Sequence, residues 1–258
     1  MLTTERRAWL LARLTRDGRL VASDVAAELA TSEDTIRRDP RELASDGRLQ
    51  RVHGGALPVS PALAPFVARQ SIATDAKDAV ARHAASLVRP GQTVIVDGGT
   101  TALRLAEALD PDLAATVVTH SPTIAVALAD HPRVDVLVIG GRLFKHSVVT
   151  CGALAAEAAA GIHADACFLG VTGVHPDAGL TTGDADEAAM KRTLAHRAAD
   201  TYVLASSEKV GAVSPHRVLD LADVTSVITD DGADRRTLDA LRAAGIDVRV
   251  AAGRPRRR

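Results

Sequence analysis

The sequence predicts an α/β protein in two parts: an N-terminal winged helix-turn-helix, then a Rossmann-like, doubly wound α/β domain. Three observations predict it. Residues 1–57 hold short helical patterns joined by a tight turn and followed by an alternating, glycine-containing stretch. From about Thr74, short apolar, β-branched runs alternate with helical stretches. Between the two lies PVSPALAPF, whose Pro58, Pro61 and Pro65 favour extended, semi-rigid chain. The expected boundaries are therefore 1–57, a linker over 58–73, the α/β domain over 74–253 and a basic tail over 254–258.

In the first part, Leu2, Ala8, Leu10, Leu11 and Leu14 recur at helical spacing, and Gly18 ends the run. VASDVAAELA follows, with Ser23 placed to cap a second short helix and Val25, Ala26 and Leu29 on one face. After the Thr31-Ser32 turn comes SEDTIRRDPREL. Ser32 can cap it, and Glu33 and Asp34 sit where the helix dipole favours acids. Ile36, Pro40 and Leu43 form its buried stripe. Asp46-Gly47 is a turn signal, and RLQRVHGGALP suits a small hairpin, or wing. In such a layout the last helix enters the major groove by its N-terminal end. Ser32, Thr35, Arg37, Arg38 and Arg41 would then meet DNA, with Arg51 and His53 on the wing holding backbone phosphates. Pro40 conflicts with this helix. A proline removes one backbone N–H and clashes with the carbonyl of Ile36, costing about 3 kcal/mol in a helix interior. The expectation is a kinked or locally broken helix whose reading turn, ahead of Pro40, still docks.

The second part is justified strand by strand. Residues 93–97, 115–119, 134–139, 166–171, 201–205, 225–229 and 247–250 are apolar and β-branched. Helical stretches over 78–88, 102–109, 123–129, 152–160, 186–199 and 234–244 separate most of them. Strands apolar on both faces and alternating with helices indicate a parallel sheet covered on both sides. Ligands of such sheets bind beyond the carboxyl ends of the strands. There the chain places Asp97-Gly98-Gly99-Thr100-Thr101, Thr119-His120-Ser121, Gly140-Gly141-Arg142, Gly170-Val171-Thr172-Gly173 and Ser206-Ser207-Glu208-Lys209. Glycines, hydroxyls and a free helix N-terminus form an anion cradle suited to phosphate. The only lysines are Lys77, Lys145, Lys191 and Lys209, in a chain otherwise rich in arginine. Lys191 lies four residues after Glu187 on one helix face, which a plain surface ion pair also explains.

Composition bounds the function. The 258 residues are 47% hydrophobic, 24% charged and only 2% aromatic, so aliphatic side chains build the core. Cys151 and Cys167 lack metal-like spacing, which fits a reducing compartment and no metal. Arg6, Arg7, Arg13 and Arg16 interrupt the first apolar runs, so no signal peptide is expected. No apolar run approaches the ~18 residues of a membrane span. A cytoplasmic protein without membrane contact is expected. The net charge is −1, but residues 1–57 carry ten arginines against nine acids, and the stretch from 58 to 253 carries 17 bases against 23 acids. A mildly basic start on an acidic body is compatible with a nucleic-acid reader on a larger domain.

SEDTIRRD…REL…LQRVHGGA, ending in Arg51-Val52-His53-Gly54-Gly55-Ala56, resembles the DeoR family of bacterial transcriptional regulators. Pro40 stands where that family usually has leucine. The resemblance continues through the second part: Asp97-x-Gly99-Thr100-Thr101, the Val-Val-Thr-x-Ser run ending at Ser121, Gly140-Gly141, the Leu169-Gly170 turn, Glu187 to Lys191-Arg192 and the Ser-Lys strand end occur in the family's order. It implies a C-terminal sensor domain similar to sugar-phosphate isomerases. Carried over, the effector contacts fall on Asp97, Gly99, Thr100, Thr101, Thr119, His120, Ser121, Gly141, Glu187, Lys191 and Lys209, with His120 replacing the usual asparagine.

The expected function is a DNA-binding repressor of carbohydrate-metabolism genes, controlled by a phosphorylated sugar. No catalysis and no cofactor are expected. Two other readings stand beside it. One is an isomerase-like enzyme using Asp97 or Glu187 as base; the acids and Lys-Gly-Gly-Gly loop of those enzymes are missing at Leu169–Val174 and Gly179–Gly183. The other is a regulator with a degenerate pocket. The expected partners are double-stranded operator DNA, the sugar phosphate and a second copy of the chain, as homodimer or homotetramer. A single winged helix buries too little surface for tight specific binding. Arg254, Arg256, Arg257 and Arg258 read as a solvated tail.

Overall fold

The computed structural model describes residues 2–52 and 54–253, apart from the side chain of Thr15. The N-terminal part runs α1 (Thr3–Asp17), β1 (Leu20–Val21), α2 (Ala22–Glu28), α3 (Glu33–Ser45), β2 (Gln50–Val52) and β3 (Gly55–Leu57). The three strands form a small antiparallel sheet in the order β1-β3-β2. Its core is Leu10, Leu14, Leu20, Val25, Ile36, Leu43, Leu49 and Ala56. Gly55 is required by close approach: a Cβ there would stand 1.8 Å from the carbonyl oxygen of Leu20. Leu2 and Ala8, expected in the core, are exposed. The inward stripe of α1 instead runs through Arg6, Leu10 and Leu14, and its first turn meets α3 through charge. Ser23 does not cap α2; Val21 precedes the helix, without a side-chain cap bond.

The helix α3 is unbroken from Glu33 to Ser45, with Pro40 buried inside it. The expected local break does not occur. Arg6 and Arg7 reach across from α1 to Asp39, which is 1% exposed, and Arg7 also pairs with Glu42. These bridges clamp the chain on both sides of the proline, while Ile36 and Leu43 anchor the same face. Tertiary packing thus outweighs the local cost of proline.

Residues 58–73 are not a free spacer. They form a strap containing a 3-10 turn (Pro61–Leu63) and α4 (Phe66–Arg69). The strap lies against the α/β part. The Val213 N–H donates to the Pro58 carbonyl at 3.3 Å, and the Phe66 N–H to the His146 carbonyl at 2.8 Å. His146 Nε2 stands 3.0 Å from the Leu63 carbonyl.

The α/β part follows as α5 (Thr74–Ala85), β4 (Thr93–Val96), α6 (Thr100–Glu107), β5 (Ala115–Thr119), α7 (Pro122–Ala127), β6 (Val134–Val138), β7 (Arg142–Phe144), β8 (Val149–Cys151), α8 (Ala153–Ala160) and β9 (Ala164–Gly170). Then come β10 (Gly173–His175), β11 (Gly179–Thr182), α9 (Ala185–Ala195), β12 (Ala198–Leu204), β13 (His216–Leu219), β14 (Ser226–Asp230), α10 (Arg235–Ala243) and β15 (Asp247–Ala251). All seven expected strands join one parallel sheet in the order β15-β14-β12-β9-β4-β5-β6. Val94, Val96, Ala166 and Phe168 pack with α5, α6 and α7 on one face. Ile95, Cys167, Leu169 and Val203 pack with α8, α9 and α10 on the other. Double burial is why these strands read as continuous apolar runs. The helix expected to reach residue 199 ends at Ala195, because Ala198 and Asp200 pair with Ala164 and Ala166 in the sheet.

Two small antiparallel units were not expected: β7-β8 and β10-β11-β13. Of these units, β11 supplies Thr182 to the crevice at the carboxyl edge of the sheet. The chain winds outward from β4 through β5 to β6, returns to β9 on the other side of β4, and then winds the opposite way. The β4/β9 boundary is therefore the switch point, where ligands of open α/β sheets bind.

Candidate functional site

At the switch point, β4 runs into Asp97 and then Gly98-Gly99, and α6 begins. Gly99 has φ +103°, a conformation L side chains rarely adopt. It precedes a helix whose first turn-closing bond runs from the Leu103 N–H to the Gly99 carbonyl at 3.0 Å. The amides of Thr100, Thr101 and Ala102 thus have no partner within the helix. They open into a small cleft lined by Arg69, Gly98, Gly99, Thr100, Thr101, Gly170, Val171, Thr172, Thr182, Glu187, Lys191 and Lys209.

Asp97 lies beneath this cleft and is fully buried. Its Oδ2 accepts from the Gly170 N–H at 2.8 Å and from Lys191 Nζ at 2.5 Å. Its Oδ1 lies 2.7 Å from His120 Nε2, while His120 Nδ1 donates to the Thr150 carbonyl at 2.7 Å. Burial alone would raise the Asp97 pKa, but Lys191 and His120 outweigh it and hold the carboxylate well below its ordinary range. Burial opposes the charge on Lys191, whereas Asp97 and Glu187 outweigh it and raise that pKa. Glu187 is also engaged: Thr182 Oγ1 donates to its Oε2 at 2.7 Å, and its Oε1 stands 3.7 Å from Lys191.

The remaining cations are different. Lys209 is 5% exposed and donates to Thr101 Oγ1 at 3.1 Å. Burial depresses its pKa to about 8, and Lys77, Arg69 and Lys191 add to the depression while Glu208 opposes it. Arg69 is 8% exposed, reaches Ser147 Oγ at 3.3 Å through its NH2 group, and leaves its Nε without a partner. Among the described residues, neither has a carboxylate within ion-pair distance. The cleft thus sets two buried cations without a direct carboxylate partner beside an open helix N-terminus.

Of the expected effector contacts, Gly99, Thr100, Thr101, Glu187, Lys191 and Lys209 line the cleft, and Asp97 supports it from below. Thr119, His120 and Ser121 are buried behind it, tied to the β7-β8 hairpin through the Thr150 and Val148 carbonyls. Gly141 is exposed at the end of β6, outside the lining. Lys145 is exposed as well. Sequence reasoning missed Arg69, because it stands in a stretch read as spacer, and Thr182, because β11 was read as loop.

The helix-turn-helix offers a second surface. Ser32 caps α3, accepting from the Thr35 N–H at 3.3 Å, and the two hydroxyls lie 2.9 Å apart. Arg37 is exposed but folded back on Glu33 at 2.8 Å. Arg38, Arg41, Arg48 and Arg51 are exposed and form no ion pair among the described residues. His53 and the tail 254–258 lie outside the described residues. No helix among the described residues is long and apolar enough to cross a membrane, and no cluster of metal-binding side chains occurs among them. The thiols are quiescent: burial raises both, Cys151 to about 12.

Comparison with known proteins bears on both surfaces. The family of DeoR-like helix-turn-helix domains matches residues 6–62, and that of the DeoR C terminal sensor domain matches residues 72–231. A putative aga operon transcriptional repressor of Escherichia coli O157:H7 is 32% identical over 95% of this chain and 93% of its own. The HTH-type transcriptional regulator GolR of Listeria innocua is 31% identical over 97% of this chain and 100% of its own. The HTH-type transcriptional repressor GlcR of Bacillus subtilis is 28% identical over 97% of each chain. Among solved structures, a ribose 5-phosphate isomerase A from Methanocaldococcus jannaschii aligns with 53% of this chain and 54% of its own, at 18% identity and a TM-score of 0.40. That last likeness is too partial to carry a functional argument.

Proposed function

The chain belongs to the DeoR family of DNA-binding transcriptional regulators, and on that premise we propose that it represses carbohydrate-metabolism genes under the control of a phosphorylated sugar. The observation that carries this reading is the pair of buried cations, Arg69 and Lys209, facing the open N-terminus of α6 without a carboxylate partner. A phosphate group supplies the missing charge, and its oxygens accept from the free amides and hydroxyls of Thr100 and Thr101. The sugar hydroxyls then face Thr172, Thr182 and Glu187. The N-terminal half holds operator DNA through Arg38 and Arg41 on α3, with Ser32, Thr35 and Arg37 at its leading end and Arg51 on β2. The protein acts as at least a dimer, in the cytoplasm, and the effector releases DNA by favouring one arrangement of the DNA-binding halves.

One feature favours binding over catalysis. Asp97 is fully buried beneath the cleft, its Oδ2 accepting from Gly170 and Lys191 and its Oδ1 engaged by His120, so it serves to anchor Lys191. Glu187 Oε2 accepts from Thr182, while its Oε1, 3.7 Å from Lys191, is left to accept from a sugar hydroxyl.

Thermal unfolding in the presence of phosphorylated sugars and of their unphosphorylated parents tests the reading. A ligand that binds the native state stabilises it by about 2.7 kcal/mol at a hundredfold excess over Kd. The expected result is a raised Tm with one sugar phosphate and not with its parent. Equal stabilisation by the parent sugar would remove the phosphate from the proposal.

A further inference from the structure

Arg69 belongs to two parts of the molecule at once. Its guanidinium lines the cleft, close enough that a Cβ on Gly99 would stand 3.8 Å from its NH1. Its backbone closes α4, the end of the strap that leaves the helix-turn-helix. The strap begins at Pro58, directly after Leu57, the last residue of β3. No slack separates the DNA-binding half from the strap.

The strap is packed as well as tied: Ser60, Ala62 and Phe66 are buried, and Val59 bridges to Val213. Pro58 is tied to Val213, and Leu63 and Phe66 are tied to His146. Arg69 itself is fixed at its carbonyl by Lys77 Nζ at 2.5 Å. Its side chain is far less satisfied: of its donors, NH2 reaches Ser147 at 3.3 Å, and the buried Nε has no partner. A buried guanidinium left in this condition is costly, and an anion offering charge-assisted bonds relieves it.

We propose that Arg69 is the residue through which an anion in the cleft acts on the strap, and through the strap on the DNA-binding half. The proposal rests on the phosphorylated-ligand reading of the cleft. An anion on the α6 amides gains Arg69 as a partner only while α4 is seated over Gly99. Anion binding therefore favours the seated strap over any arrangement in which α4 has lifted. The same cleft closed only by Lys191 and Lys209 would bind an anion without informing the N-terminal half. Arg69 is thus a coupling residue as well as a binding one, and Ser147 on the β7-β8 turn is its side-chain partner within the protein.

Hydrogen–deuterium exchange on the full-length protein tests this, with inorganic phosphate as the probe and chloride at matched ionic strength as the control. In the unaltered protein, phosphate is expected to slow exchange about threefold or more both at 98–103 and across 58–72. In Arg69→Gln, protection at 98–103 is expected to persist, weakened, while protection of 58–72 is lost. Arg69→Lys is expected to recover part of it. His146→Ala cuts a strap tie outside the cleft, and it should keep protection at 98–103 while weakening it over 58–65. Protection confined to 98–103 in the unaltered protein would overturn the coupling and leave the phosphate cradle standing. A strap still protected in Arg69→Gln would overturn it equally. No phosphate effect at either segment would remove the cradle itself, and the coupling with it.

Discussion

In the helix-turn-helix, Arg38, Arg41, Arg48 and Arg51 stand in solvent; in the α/β half, Arg69, Lys77 and Lys209 are buried, and none of these cations has a carboxylate partner among the described residues. The same chemical feature has opposite physical meaning in the two places. An exposed guanidinium is solvated, costs little, and gains from a polyanion chiefly by releasing its condensed counterions. A buried cation is already stripped of water, so its field reaches a small anion with little screening. One half is suited to a long charged surface, the other to a single charged group.

Salt breaks the comparison most directly. Raising salt from 50 to 200 mM should weaken DNA binding by about 10³–10⁵-fold if six to ten phosphates are contacted by the assembled protein. Phosphate binding in the cleft should change by less than about tenfold over the same range, because the site is shielded from bulk ions. Fluorescence anisotropy on a selected duplex and calorimetry with phosphate measure the two slopes. Parallel slopes would mean that the cleft is an open electrostatic surface like the first, and the distinction would fall.

A smaller effect separates the scaffold of the DNA-reading half from its contacts. Pro40 lies in the interior of α3, between the Arg6/Arg7–Asp39 bridges and Leu43. Pro40→Leu should stabilise this half by about 1–3 kcal/mol, since it restores a backbone donor for Ile36 and a larger core side chain. DNA affinity should change by less than about threefold, or roughly 0.6 kcal/mol, because the contacts of Arg37 and Arg38 precede the proline. Urea unfolding and a DNA titration on the same variant check it. A loss of stability would mean that the clamp depends on the proline.

How much of this was legible follows from what each residue answers to. The central strands were readable because both their faces are covered: Val94 and Val96 meet one helical layer and Ile95 the other, so all three must be apolar. The small units β7-β8 and β10-β11-β13 were not readable. Their Gly-Leu-Thr-Thr and Arg-Leu-Phe segments are too short for periodicity and are fixed by pairing with distant chain, as Leu180 is with Leu219. The cradle at Gly99–Thr101 was legible because helix start, glycine and hydroxyls are adjacent in sequence. Arg69 was not, because nothing local marks an arginine in a proline-rich stretch as buried; only the folding-back of the strap does. Pro40 misled in the opposite sense: its local cost is real, but the Arg6 and Arg7 bridges that offset it come from another helix.

The smallest effect is a dependence on pH confined to the buried side of the comparison. Lys209 titrates at about 8 in the folded protein, against an ordinary 10.5, chiefly because of burial. Between these values the unfolded chain binds a proton that the folded protein does not, so stability should rise as pH climbs through that window; below about 8 the penalty is fully present. Ligand affinity runs the other way. A phosphate dianion beside Nζ favours the ammonium, so the complex keeps a proton that the free protein has lost above pH 8. Affinity should therefore fall by up to about tenfold per pH unit above 8. The ligand contributes little to this slope when it is a phosphate monoester, whose second ionisation, near pH 6, is complete there. Lys209→Arg keeps the charge throughout and should flatten the profile, while Lys209→Met should weaken binding at neutral pH and flatten it too. Calorimetric titrations with a phosphate monoester from about pH 7 to 10 measure all three. DNA affinity, held by exposed arginines, should show no such bend. A flat profile in the unaltered protein would mean that Lys209 is not the group that meets the anion.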